Sequence, residues 1–228
     1  MAKPSTATVF SYNPRPVFYA TAHRGGEGLW PSNTLYAFER ALHLGVDVLE
    51  IDIHLTADGT LVIRHDPTVN STTDGIGAIR DLTLAQIKAL DAGYTWTEDG
   101  GQSFPFRGLG ITIPTLEEAF QAFPGAFWSI DIKPDDPGVV DLFCRTLRQY
   151  DKLKQVVVGS FHDPQLRRFR RLCPEVANFR LSSLSHQLRN LSRFSPLPSR
   201  FKCRQRRAAC LLSRRCSMSR LISRSLRS

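Results

Sequence analysis

The sequence predicts an α/β fold in which a mostly parallel sheet is covered by helices. Short apolar runs with a two-residue period alternate along the chain with runs of helical period. A barrel and an open doubly wound sheet both fit that rhythm. The absence of a Gly-x-Gly-x-x-Gly turn argues against a dinucleotide-binding sheet. At 228 residues the chain can bury one substantial core, as one domain or one domain with a tail.

The elements follow in order. Val17–Ala22 is a short apolar run that leads into a Gly-rich turn. Thr34–Leu44 reads as a helix, with Leu35, Phe38, Ala41 and Leu42 on one face, Asn33 as its cap and Gly45 as its stop. Val46–His54 is a strand, and Thr60–His65 is another after the turn at Ala57-Asp58-Gly59. Residues 67–112 break the rhythm with many Thr, Gly and Asp and a short helix at Leu84–Leu90, so they read as an insertion. Alternation then resumes: helix at Pro114–Phe123, strand at Phe127–Ile132, helix at Val139–Tyr150, strand at Gln155–Ser160, helix at Pro164–Leu172. That makes five strands. After about Asn178 the texture changes, and residues 180–228 hold 12 Arg and 12 Ser with no acid and no glycine. The expected organisation is a domain at 1–177 and a basic tail at 178–228.

The net charge of +9 belongs to that tail. Up to Glu175, 17 Lys and Arg meet all 21 acidic residues for a net of −4, and 13 further Lys and Arg follow. Nucleic acid or an anionic membrane is therefore expected as a partner only through the tail. The N-terminus has no apolar run of signal-peptide length, and no stretch approaches a membrane span, so a cytoplasmic location is expected. The five cysteines form no Cys-x-x-Cys pair and read as scattered thiols.

The chemistry concentrates on strand faces. In Val48–His54 the side chains alternate, so Glu50, Asp52 and His54 share one face and Leu49, Ile51 and Ile53 the other. Two carboxylates on an inward face repel each other and resist burial, and a divalent cation offsets both costs. Oxygen ligands suit Mg²⁺ or Ca²⁺. Asp131 and Lys133 likewise share a face, giving a third acid and a cation for phosphate. His23 ends the first strand and His65 the third, where two imidazoles can serve as base and acid. Each piece alone also reads as a structural ion pair or a structural histidine. Two histidines and three acids gathered at strand ends favour a site. His43, His54, His162 and His186 are given no role.

His23-Arg24-Gly25, Pro31-Ser32-Asn33-Thr34, Glu50-Ile51-Asp52, Thr56-Ala57-Asp58-Gly59 and His65-Asp66 resemble the N-terminal signature of the glycerophosphodiester phosphodiesterases. Ile113-Pro114-Thr115-Leu116-Glu117-Glu118 and Ser160-Phe161 are similar to that family too. The resemblance implies a TIM-type (β/α) barrel with a small inserted subdomain. It implies a divalent metal on Glu50, Asp52 and Asp131, His23 and His65 as the catalytic pair, and Arg24 and Lys133 on phosphate oxygens. The implied reaction cleaves a small-molecule glycerophosphodiester to glycerol 3-phosphate and an alcohol.

Three departures stand out. Ser32 replaces the family's usual Glu, Asp131 replaces the Glu of Glu-x-Lys, and the closing motifs of the last barrel strands are absent. A shifted reading frame or truncation near Asn178 is the expectation for the last departure, leaving a barrel without its C-terminal strands. Two other functions fit the sequence. One is a phospholipase D-like enzyme acting on lysophospholipids or sphingolipids, with Trp96, Phe104 and Phe106 either lining its mouth or forming the insertion's small core. The other is a non-catalytic protein anchored by its basic tail.

Overall fold

The computed structural model describes residues 19–180, so the start of the first apolar run and all but the first three residues of the expected basic tail lie outside the described residues. Six strands form one sheet: β1 (Thr21–Ala22), β2 (Val48–Leu55), β3 (Leu61–Ile63), β4 (Phe127–Ile132), β5 (Val156–Ser160) and β6 (Ala177–Arg180). The spatial order is β1-β2-β4-β5-β6, with every neighbouring pair parallel. The helices are α1 (Leu35–His43), α2 (Leu84–Lys88), α3 (Leu116–Ala122), α4 (Pro137–Gln149) and α5 (Asp163–Leu172).

This order decides between the two α/β architectures. The parallel strands follow one another in space as they do in sequence, with no switch point. Leu49, Ile51, Ile53, Trp128, Ile130, Ile132, Val156 and Val158 face a single apolar cluster with Phe38, Leu116, Phe120, Phe143 and Phe169 from α1, α3, α4 and α5. The crossover helices therefore cover one face of the sheet. Glu50, Asp52 and Asp131 occupy alternate positions on the other face. An arc of a TIM-type barrel has this pattern, whereas a doubly wound sheet carries helices on both faces.

Trp128 anchors the core. It is 1% exposed and meets Phe38 and Phe120 edge-on, each at 5.7 Å between ring centres. Such contacts add about 1 kcal/mol each beyond the area buried. Helix starts are set locally. Thr115 and Glu118 form a reciprocal capping box on α3, as Thr83 and Gln86 do on α2. Asp136 caps α4, whose first residue is Pro137. An Asp141–Arg168 ion pair joins α4 to α5, and an Arg148–Glu175 pair joins α4 to the segment between α5 and β6. Cys144 and Cys173 are buried as free thiols whose pKa values burial raises, an environment that suppresses thiolate chemistry.

Three expectations need correction, and the direction of the third strand is added. Thr34, rather than Asn33, caps α1, its hydroxyl accepting from the Ala37 amide at 3.2 Å. Asn33 instead takes a left-handed φ of 56° and turns its side chain inward. The strand after Gly59 runs antiparallel to β2, forming a hairpin with Leu55 opposite Leu61. A sixth strand, β6, crosses the 177/178 boundary inferred from composition and pairs with β5. Finally, the insertion's small core is Val69, Ile79, Ile87 and Ala92, packed with Val62 and Ile113. Trp96 and Phe106 lie outside it, meeting edge-on at 4.8 Å, and Phe106 continues onto Tyr36 of α1 at 5.3 Å. No described helix is long and apolar enough to cross a membrane.

Candidate active site

The site is assembled at the C-terminal ends of β1, β2 and β4 and along the β2–β3 hairpin. After β1 the chain turns abruptly, with positive φ at Arg24 (51°), Gly25 (75°) and Gly26 (109°). Gly25 is required there, because a Cβ would lie 2.6 Å from the Phe38 ring. The turn points the Arg24 amide at Glu50, whose Oε2 accepts at 2.9 Å. The Arg24 carbonyl accepts from the Asn33 amide at 2.9 Å, which closes the loop under α1.

Asp52 and Asp131 are side by side on β2 and β4, and both are buried. Lys133, immediately after β4, donates to both: its Nζ is 3.0 Å from Asp52 Oδ1 and 2.7 Å from Asp131 Oδ2. Burial works against charge on Lys133, but its contacts with the two aspartates outweigh that and hold its pKa above the usual lysine range. Burial raises Asp131. Burial, and then the charge of Asp52, push Glu50 up to about 7. Asp52 also accepts from Asn33 Nδ2 at 3.2 Å and lies 3.8 Å from Arg24 Nε.

The two sequence-predicted histidines each carry a carboxylate partner. His23 Nδ1 is 2.9 Å from Glu27, and its Nε2 is 4.0 Å from Glu50. His65 Nδ1 is 2.7 Å from Asp66 Oδ1. Asp66 also accepts from Ser71, and that bond, followed by the one from His65, holds its pKa below the usual carboxylate range. An ionised Asp66 fixes the His65 tautomer with Nδ1 protonated and leaves Nε2 free to exchange a proton. Beneath the loop, Arg64 is 3% exposed and donates to Ser71 at 2.7 Å and to Thr72. The Arg64 amide donates to the Asp52 carbonyl at 2.8 Å, which ties the residue before His65 to the strand carrying the acids.

All seven predicted residues therefore belong to one neighbourhood. Sequence reasoning missed Asn33, Glu27, Asp66 and His54 as their partners. Glu27 stands four residues after His23 within a turn, and Asp66 directly follows His65, so spacing carried that much of the signal. His54 shares the face of Asp52, is 7% exposed and has its pKa lowered by burial. Its Nε2 meets the His65 carbonyl at 3.1 Å.

The donor set fits a hard divalent cation. Asp131 Oδ1 and Asn33 Oδ1 are buried without a hydrogen-bond partner, and burial, then the nearby charge of Asp52, raises the pKa of Glu50. Among the described residues no three His, Cys, Asp or Glu side chains converge on one point, and the Lys133 ammonium spans the two aspartates. A cavity of about 340 Å³ between the hairpin turn, α3 and α4 shares no residue with this cluster. Beside Lys133 stands Phe161, 61% exposed, with Lys133 Nζ 5.6 Å from its ring centre.

Residues 23–176 match the Glycerophosphoryl diester phosphodiesterase family. The chain is 36% identical over 160 residues to a glycerophosphodiester phosphodiesterase of Caldanaerobacter subterraneus subsp. tengcongensis, covering 68% of this chain and 63% of that protein. It is 33% identical over 169 residues to one from Bacillus subtilis (strain 168), covering 70% and 58% respectively. Among solved structures, it is similar to a glycerophosphodiester phosphodiesterase of Agrobacterium tumefaciens str. C58, with TM-score 0.61, 28% identity and coverage of 69% and 64%. It is also similar to an Oleispira antarctica phosphodiesterase in complex with the product sn-glycerol-3-phosphate, with TM-score 0.59, 32% identity and coverage of 75% and 71%. The chain spans less than two thirds of the length of the two enzymes from Caldanaerobacter and Bacillus.

Proposed function

Because the chain belongs to the glycerophosphoryl diester phosphodiesterase family, we propose that it hydrolyses glycerophosphodiesters to glycerol 3-phosphate and an alcohol. The observation that carries this reading is the pairing of two different devices. A buried carboxylate set braced by Lys133 stands beside a histidine whose tautomer is set by Asp66. The first suits a phosphoryl group and its counter-charge, and the second suits proton transfer.

Glu50, Asp52 and Asp131 are the residues that would hold a divalent cation, Mg²⁺ or Ca²⁺, which supplies Lewis-acid neutralisation of the phosphoryl oxygens when bound. Lys133 and Arg24 bind those same oxygens and hold the phosphorus in line for attack. His23, braced by Glu27, takes the proton from the attacking water, or from the glycerol hydroxyl next to the phosphate, in which case water opens the resulting cyclic phosphate in a second step with the proton-transfer roles reversed. His65 delivers a proton from Nε2 to the departing alcohol oxygen, and Asp66 stabilises its charged form before transfer.

Purified protein is given glycerophosphocholine with Mg²⁺, with Ca²⁺ or with chelator, and glycerol 3-phosphate is measured. Release that requires metal and is lost in His23→Ala supports the proposal. A folded sample that releases none under any condition overturns it. A second reading has one observation in its favour: Phe161 leaves an apolar ring exposed beside Lys133. A phospholipase D-like enzyme would use such a surface for a lysolipid, and a higher kcat/KM on micellar lysophosphatidylcholine than on glycerophosphocholine would favour it.

A further inference from the structure

His54 has no part in the reaction as written above, yet it is buried beside the groups that do. It occupies the position after Ile53 on the same face of β2 as Glu50 and Asp52. Its ring spans the β2–β3 hairpin to the main chain of His65, with Nε2 3.1 Å from the carbonyl oxygen. A carbonyl only accepts, so Nε2 carries the hydrogen and donates. We propose that His54 is a positioning residue for His65, holding the main chain of the proton donor while Asp66 holds its ring.

The geometry gives the bond consequences that packing alone would lack. His65 lies just past the end of β3, after the last paired residue of the ladder. Its predecessor Arg64 is tied through its amide to Asp52, and the chain after Asp66 is tied through the Pro67 carbonyl to the Ile79 amide at 2.9 Å, so the flanking residues have main-chain bonds of their own. The carbonyl bond to His54 is therefore a main-chain restraint acting directly on the donor residue. With it, the imidazole is fixed at both ends, through the His65 carbonyl and through Nδ1. Without it, rotation of the 65–66 peptide swings the ring away from Asp66. A displacement on the order of 1 Å at a catalytic group costs about 100-fold in rate.

The proposal rests on the phosphodiesterase reading for its kinetic arm only. Two variants of similar size separate donation from space filling: His54→Gln retains an amide donor at the reach of Nε2, and His54→Met does not. Kinetics on glycerophosphocholine and the ring-nitrogen NMR shifts of His65, assigned with His65→Ala, are recorded for both alongside their melting temperatures. The expected result is a kcat about 10–100-fold lower in His54→Met at a KM within about twofold of wild type. His54→Gln should recover most of that loss. The His65 signals should move from a single Nδ1-protonated form to a mixture in the Met variant and return in the Gln variant. Equal kcat and equal His65 shifts in the Gln and Met variants would overturn the proposal, whatever their stability. If the wild-type protein cleaves no glycerophosphodiester, the phosphodiesterase reading fails, while the His65 shifts still decide the role of His54.

Discussion

Asp52 and Asp131 stand directly opposite one another on neighbouring parallel strands, and the ammonium of Lys133 joins them. Each aspartate is almost fully buried. Lys133→Met removes the cation that, among the described residues, bonds both. Breaking a buried ion pair leaves an uncompensated charge that costs about 3 kcal/mol or more. Urea unfolding in chelator should register that loss, and saturating Mg²⁺ or Ca²⁺ should restore part of it. A variant as stable as wild type in chelator would contradict this account.

Asp131 is one methylene shorter than the glutamate usual at this position in the resemblance described above, and its Oδ1 has no partner. Asp131→Glu extends the carboxylate further into the site and is expected to tighten divalent-cation binding by about three- to tenfold in calorimetric titration. Asp131→Asn removes the charge and should weaken it by at least about tenfold. The reverse order would exclude Asp131 from the ligand set.

The unusual carboxyl of Glu50 has a pH signature. In the unfolded chain it ionises near the ordinary 4.5, and in the folded, metal-free protein near about 7. Between those values the unfolded state binds fewer protons, so this group lowers stability as pH rises through the interval. At pH 8 the loss reaches about 3 kcal/mol. His54, lowered by burial, acts in the opposite sense below 6.5. The difference between wild type and Glu50→Gln isolates the effect. In chelator the Gln variant should be the more stable at pH 8, and the gap should close by pH 5. A gap that is constant with pH would show that Glu50 titrates normally.

Gly25→Ala tests the turn that presents Arg24. The new methyl group would sit 2.6 Å from the Phe38 ring, at a φ of 75° that alanine resists. Together these cost about 3 kcal/mol, lowering Tm by roughly 10 °C in a domain of this size. Differential scanning calorimetry measures it, and an unchanged Tm would mean that the turn yields easily.

Much of the architecture could be read from local patterns. The alternation in Val48–His54 placed the acids opposite the apolar residues, and the spacing of Leu35, Phe38, Ala41 and Leu42 gave the core-facing side of α1, with Phe38 and Ala41 buried and the two leucines half-buried. What escaped depended on partners distant in sequence. Asn33 and Thr34 are both good caps, and only the pull of Asp52 on the Asn33 amide separates their roles. The direction of β3 follows from the compact turn in which Thr56 bonds Asp58 and the Thr60 amide, a detail that apolar run length does not encode. Ala177–Arg180 has too few apolar residues to announce a strand and forms one because β5 offers a free edge among the described residues. Trp96 and Phe106 looked like core by composition, yet the insertion packs on smaller aliphatic residues instead.

The β2–β3 hairpin has one further consequence. Asp52 and the residue before His65 are joined by a main-chain hydrogen bond of 2.8 Å, so the spacing between the acid proposed to hold the cation and the proposed proton donor is a ladder dimension rather than a product of side-chain packing. Substitutions in the helical shell can erode the stability of the whole molecule while leaving that spacing untouched. Outer-layer sequence drift away from the Gly25–Phe38 contact can accumulate without changing that one dimension.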